Sequence, residues 1–316
     1  MNDSDLHKND PGVWGHSLLN VAEILTSVLD AVGARSVAEV GAYAGDLTEV
    51  LADWARGADA RVFAIDPSPE PRLVELAKRP EVELVRRTSH DAIPAIELPD
   101  AVIIDGDHNH FTVSGELRLI DQGAGDAGLP LLILHDVGWP HARRDTYFAP
   151  DQIPASARQP AIPGGALFPG EPGVVRGGLT FHWAAEREGG PGNGVLTAVE
   201  DFMEGRESLR LAILPVFFGV GILWDQEQPW SRAVAEILEP WDRNRVLERV
   251  EANRVYHLAT VSKLLSGPAR GERLLGNLLD SKLFAFADRL SWLRNRGRAA
   301  SWREQIRQAL EEDGLA

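Results

Sequence analysis

An α/β fold built on a Rossmann-like, seven-stranded, mostly parallel sheet is the class this sequence predicts, and three observations carry it. Five short apolar runs, at 36–40, 61–65, 82–85, 101–104 and 131–134, are separated by helical or polar spacers. Short, mostly apolar runs of this kind suit strands covered on both faces of a parallel sheet. The runs end on polar or glycine residues, as expected where a strand leaves the core at its carboxyl end. A later apolar stretch, 209–224, is broken at Pro215, Gly219 and Gly221, which suits an antiparallel hairpin closing the sheet with strands six and seven.

In chain order, His16, Leu18, Leu19, Val21, Ala22, Ile24, Leu25, Val28 and Leu29 recur at three- and four-residue spacing, predicting an amphipathic helix over 16–32 that stops at Gly33. The first strand ends at Gly41, and Leu47, Val50, Leu51 and Trp54 mark the helix behind it. The second closes on Asp66 and Pro67 before a helix over 71–78. The fourth ends in Asp105 and Gly106, the fifth in His135 and Asp136. Residues 138–194 interrupt the alternation with many prolines and glycines, yet contain Trp139, Tyr147, Phe148, Phe168, Phe181 and Trp183. Disordered segments are poor in aromatics, so an ordered lid is expected. A helix over 195–203 precedes the hairpin. Beyond Pro229 the pattern is helical again, through Val234, Ile237, Leu238 and Trp241, then Leu274, Leu275, Leu278, Leu279 and Leu283. Three units follow: an N-terminal helical segment (1–33), an α/β domain (34–225, with the lid at 138–194) and a C-terminal helical extension (226–316).

Composition removes whole classes of function. The 316 residues contain no cysteine, which excludes disulfide frameworks, thiolate metal sites and cysteine nucleophiles. No apolar run is long enough to span a bilayer and residues 1–11 are polar, so a soluble cytoplasmic protein is expected. The net charge of −15 disfavours nucleic acid and anionic membrane as partners. From Pro229 onward, however, 15 basic residues outnumber 12 acidic ones. That tail is a separate compositional unit, suited to capping the sheet or to forming a homo-oligomer surface.

Ligands of open parallel sheets bind beyond the carboxyl ends of the strands. The strand-end residues Glu39, Gly41, Asp66, Ser89, His90, Asp105, His135 and Asp136 therefore converge on one crevice. The first turn reads Glu39-Val40-Gly41-Ala42-Tyr43-Ala44-Gly45-Asp46. Its two glycines permit a sharp turn and close approach to a ligand, but GxGxxG is absent, which counts against a dinucleotide pyrophosphate. An acid at Glu39 suits a cationic ligand such as an amino-acid ammonium. Asp66 has the position and acceptor chemistry to take both hydroxyls of a ribose, or else it only organises the turn before Pro67.

EVGAYAGDL and the strand ending AIDPSP resemble the first two motifs of class I S-adenosylmethionine-dependent methyltransferases. IDGDHNHF and LHDVGWP resemble the segments after strands four and five of small-molecule O-methyltransferases of the catechol and macrolide-sugar types. The resemblance covers roughly residues 34–225. It implies the class I methyltransferase fold and S-adenosylmethionine as cofactor. Glu39 would reach the methionine end, with Gly41, Ala42, Tyr43 and Gly45 passing beneath it. Asp66 and the neighbouring Ser68 would lie at the ribose, Ser89 and His90 beside the adenine, and Asp105 near the donor.

Asp105 and Asp136, at the ends of adjacent strands, can hold one hard divalent cation such as Mg²⁺. His135 and Asp107 are candidates for a third ligand. The relatives place Asp-Asn, or two adjacent acids, where this chain has Asp136-Val137 and His135-Asp136. A basic residue three positions beyond the first Asp removes the substrate proton in the similar enzymes; here it is His108, and a histidine suits that task. His141, Arg143, Arg144 and Tyr147 could line the acceptor pocket, and Trp14 and His16 could close over the cofactor. The expected activity is methyl transfer to a hydroxyl of a small molecule, a sugar or phenol of secondary metabolism. Competing expectations are a non-methylating enzyme on the same fold, such as a metal-dependent hydroxylase or cyclase, and a non-catalytic cofactor-binding partner protein. A nicotinamide oxidoreductase stands last, for want of GxGxxG.

Overall fold

Alternation along each strand decides which helices it meets. In the computed structural model, which describes residues 18–266 with 281, 282, 284, 285, 288 and 289, the first strand is Ser36–Val40 (β1). Val37 packs in one buried cluster with Leu51, Ala52 and Ala55 of the helix Asp46–Ala58 (α2) and with Leu25, Val28 and Leu29 of Ala22–Val32 (α1). Ala38 and Val40 face the opposite cluster, with Val113, Leu117 and Ile120 of the helix His110–Ala124. Glu39 shares the parity of Val37, and that alone aims its carboxyl at α2.

The remaining strands are Arg61–Ile65 (β2), Val82–Val85 (β3), Ala101–Ile104 (β4) and Leu131–His135 (β5), all parallel to β1, and the hairpin Leu209–Leu214 and Val220–Asp225. Five short strands lie between β5 and the hairpin, so the hairpin strands are β11 and β12. The sheet order is β11-β12-β5-β4-β1-β2-β3, with β12 antiparallel to both neighbours. Seven mostly parallel strands with one reversed strand beside β5 form the class I methyltransferase fold expected above. Between strands lie α1, α2, Pro71–Leu76 (α3), Ser89–Ala92 (α4), His110–Ala124 (α5) and Val195–Met203 (α6). Ser231–Leu238 (α7) and Arg245–Ser266 (α8) follow the hairpin.

One expectation needs adjustment. The first helix does not run unbroken from residue 16: Leu18–Val21 is a 3₁₀ turn and α1 begins at Ala22. It ends as expected at Gly33, whose φ of +69° lets its N–H turn back to the Asp30 carbonyl. Trp14, His16, Leu274, Leu275, Leu278, Leu279 and Leu283 lie outside the described residues.

The insert is ordered, as its aromatics suggested. Thr146–Tyr147 (β6), Ala161–Pro163 (β7) and Trp183–Ala185 (β10) make a three-stranded sheet, and Ala166–Leu167 (β8) pairs with Leu179–Thr180 (β9). A polar hub holds it, which apolar patterning could not reveal. The buried Asp145 accepts from His110 N at 2.8 Å, Gly194 N at 2.7 Å and the Tyr147 hydroxyl at 2.8 Å, tying the insert to the starts of α5 and α6. The buried Arg144 donates to the carbonyls of Ala185 and Pro172. Arg144 and Tyr147 thus build the insert rather than line a pocket. The helix α8 braces it from outside, where Ser262 donates to the Gly178 carbonyl at 2.7 Å and the rings of Tyr256 and Phe168 meet edge to face at 5.3 Å.

Candidate active site

The turn after β1 is built by close approach. Gly41 has φ +86°, and a Cβ there would lie 2.0 Å from the Asp105 carbonyl oxygen, so the β1 and β4 exits touch backbone to backbone only because residue 41 is glycine. Gly45, at φ +82°, starts α2, where a Cβ would meet the Leu76 side chain at 2.7 Å. Ala42 is buried beneath the turn and Tyr43 is exposed above it. Asp66 organises this turn, accepting from Tyr43 N at 2.9 Å and Ser68 N at 2.7 Å. That is the turn role anticipated for it. Each carboxylate oxygen has a second lone pair beyond these bonds.

Glu39 is 4% exposed and accepts a hydrogen bond from Thr48 of α2. Burial pushes its carboxyl up to about 8, against the Thr48 bond and helped by Asp105, Asp46 and Asp66 around it. At neutral pH it is a neutral acid in an acidic mouth. Thr48 was not singled out from the sequence. Its signal is a hydroxyl at the α2 turn facing the crevice, amid the apolar positions Leu47 and Leu51.

Across the sheet, β4 and β5 deliver a different group. His135 is buried with its Nε2 2.8 Å from the Phe217 carbonyl and its Nδ1 2.9 Å from Asp105 Oδ1 and 3.6 Å from Asp136 Oδ2. A carbonyl only accepts and a carboxylate at this distance accepts too, so both ring nitrogens donate and the ring is an imidazolium. Burial alone would push His135 down, but Asp105 and Asp136 outweigh it and raise it to about 9. Asp136 sits at φ +62°, an uncommon backbone state for a non-glycine residue, 3% exposed. It accepts from His108 Nε2 at 2.9 Å; Asp105 lies farther from that nitrogen, at 3.8 Å.

Burial opposes ionisation of both acids, yet the facing imidazoles hold Asp105 and Asp136 below the usual carboxylate range. Burial likewise opposes charge on His108, but Asp136 and Asp105 raise it well above the usual histidine value. His141 behaves oppositely: burial pushes it down to about 3, so it is a neutral ring, paired with the Thr146 hydroxyl at 3.1 Å.

Around His108 the walls are aromatic. His141 lies 4.6 Å from it and Phe148 5.9 Å, centroid to centroid; Phe181 is 5.2 Å from His141, and His182 6.0 Å from Phe148. Phe148 is 62% exposed although it is a large apolar ring. Of the residues after β5, His141 thus joins the crevice. Arg143 pairs instead with Glu200 of α6. Ser89 and His90 lie beyond β3 and open α4, but the His90 ring packs on Gly115 and pairs with the Thr112 carbonyl at 3.0 Å, so it is committed to α5. Asp107 is tied to Asn109 and Thr112, inside its own loop.

Donor atoms of Asp105, His135 and Asp136, and of His108, Asp136 and His141, gather within 4.8 Å of one another, close enough for a metal ion. Their chemistry does not fit Mg²⁺. That ion demands near-octahedral oxygen, whereas three of the five donors here are imidazole nitrogens and the His135 ring spans the gap between the two carboxylates.

No protein-family model matches the chain, and no curated protein is similar to it in sequence. Among solved structures, a SAH-bound methyltransferase of Podospora anserina is 15% identical over 71% of this chain and 88% of its own, at a TM-score of 0.44. A methyltransferase of Geobacter sulfurreducens is 14% identical over 71% and 86%, at a TM-score of 0.40.

Proposed function

We propose that the protein is an S-adenosylmethionine-dependent O-methyltransferase acting on a small molecule, with His108 as its general base. The observation that carries this reading is the Asp136–His108 contact at 2.9 Å, set one strand away from the glycine turn of β1. Asp136 accepts the Nε2 proton and so fixes the tautomer, leaving Nδ1 for the acceptor hydroxyl. The hydroxyl oxygen attacks the sulfonium methyl, the C–S bond breaks with its electron pair passing to sulfur, and the proton goes to His108. Asp136 then stabilises the imidazolium. The sulfonium is already a good leaving group, so holding the two partners in line supplies most of the acceleration.

The donor's ammonium belongs at Glu39, a neutral acid in an acidic mouth, and its ribose at Asp66. Mg²⁺ is not assigned a step, because the donor set does not suit it. For the acceptor, the aromatic rim of Phe148, Phe181 and His182 favours a planar phenol over a sugar, which would need hydrogen-bonding walls. The test is calorimetric titration with S-adenosylmethionine, S-adenosylhomocysteine and NADH, followed by mass spectrometry of a phenol panel incubated with enzyme and donor. Binding of the sulfur nucleotides and a mass gain of one methylene unit in a phenol are expected. Binding of NADH alone, or donor binding with no methylated product from any hydroxyl compound, would overturn the assignment.

A further inference from the structure

One buried acid remains outside this chemistry. Glu116 stands three residues after Val113 and four before Ile120, on the apolar stripe of α5. It is 0% exposed, and neither carboxyl oxygen has a hydrogen-bond partner among the described residues. An unsatisfied buried carboxyl is destabilising, and more so if charged. Such a group marks strain or a partner not yet in place. Its surroundings say where the partner comes from. The groups that act on it are the Ser89 hydroxyl, at the exit of β3, and the charges of Asp107 and His108, at the exit of β4. The His90 ring packs on Gly115 beside it.

We propose that Glu116 receives the amino edge of the donor's adenine. This rests on the methyl-donor reading. With the ammonium at Glu39 over β1 and the ribose at Asp66 over β2, the base is directed toward the loops leaving β3 and β4. Those are the loops that bracket Glu116. The edge of adenine offers one donor, the 6-amino N–H, beside one acceptor, N1. A neutral carboxyl offers the complement in the same spacing, a carbonyl oxygen to accept and an O–H to donate. Burial keeps this acid neutral by pushing it up to about 8, despite the lowering effect of Ser89.

The experiment compares S-adenosylhomocysteine with its 6-deamino analogue, in which purine replaces adenine, on the full chain. Wild type should prefer the amino compound by about tenfold, the effect of one hydrogen bond of roughly 1.4 kcal/mol in a buried site. Glu116→Leu should lose that preference while still binding both. Glu116→Gln keeps an acceptor and a donor at the same place and should retain it. As pH rises past about 8 the wild-type preference should fade and that of the Gln variant persist. This arm keeps the idea testable if the Leu variant does not fold. Equal binding of the two compounds by wild type, or an undiminished preference in the Leu variant, would overturn the role of Glu116. Failure of wild type to bind S-adenosylhomocysteine at all would instead sink the methyl-donor reading, and this inference with it.

Discussion

Glu39 and Asp136, at the two ends of the crevice, are buried to a similar depth and held in opposite states. At the β1 end, Glu39 has only a hydroxyl and other acids near it, so burial wins and the group stays protonated up to about 8. At the β4–β5 end, Asp105 and Asp136 face His108 and His135, and the imidazoles hold both acids ionised against their desolvation. One end waits for a cation that a ligand must bring. The other has its cations built in. Desolvation is common to both, so the partner across the gap sets the protonation state.

The largest disturbance should come at the seam where the two ends touch. Gly41→Ala places a methyl 2.0 Å from the Asp105 carbonyl oxygen at φ +86° and forces the β1 and β4 exits apart. Backbone cannot yield as a flexible side chain does, so a loss of about 3 kcal/mol in unfolding free energy is expected. Denaturant titration reads it. A variant of wild-type stability that binds donor normally would mean that the two ends are not coupled through this contact.

Next in size is the imidazole pair. His108→Ala should lower kcat by about 10²–10⁴-fold with little change in donor affinity, because a base acts on the acceptor and not on the donor. The pH profile sharpens the point. A base must be neutral to take a proton, and Asp136 raises His108 well above the usual histidine value. The rate should therefore climb with pH through and beyond neutrality. Asp136→Asn removes the chief raising charge, so its profile should move toward acid. A profile that stays in place would dissociate His108 from the rate.

The neutral acid at the other end predicts a smaller, thermodynamic effect. At pH 7 Glu39 is mostly protonated, and an ammonium seated beside it favours the anion, so donor binding should release nearly one proton. Binding enthalpies measured in buffers of different ionisation enthalpy report that release, which should vanish in Glu39→Gln. The same shift bears on folding. The folded value lies above the unfolded one, so the native state holds more protons between about 4.5 and 8, and this group's contribution to stability falls as pH rises through that window. Glu39→Gln should flatten that slope.

How much of this was legible beforehand follows from which physics the sequence exposes. The strands followed from apolar runs and their spacers, since a parallel sheet buried on both faces leaves that pattern, whereas their order across the sheet did not. The places of Glu39, Asp66, Asp105, His135 and Asp136 at strand ends were legible from the spacing of the runs. Partner choice was not. Both His135 nitrogens are committed, one of them to the Phe217 carbonyl, a backbone group 82 residues away that no side-chain pattern announces. His90 and Arg144 likewise turned to helix and insert. Glu116 was visible as an acid on an apolar stripe, but its lack of a partner appears only when the helices pack.

The smallest expected effect bears most directly on the contrast between the ends. If the β4–β5 acids are neutralised by His135 and His108, then EDTA should leave the methyl-transfer rate unchanged, and titration with Mg²⁺ should give no binding heat. The reasoning is electrostatic: an imidazolium 2.9 Å from Asp105 and 3.6 Å from Asp136 already supplies positive charge between them, and a divalent ion would have to displace it and deprotonate the ring. His135→Asp removes that cation and adds an oxygen donor, so it should create Mg²⁺ binding where wild type has none. Imidazole also suits zinc and iron. An enzyme silenced by EDTA and restored by Zn²⁺ or Fe²⁺ would mean that the same nitrogens, already turned toward the carboxylates, hold a metal in place of protons, and that both ends of the crevice depend on a cation from outside.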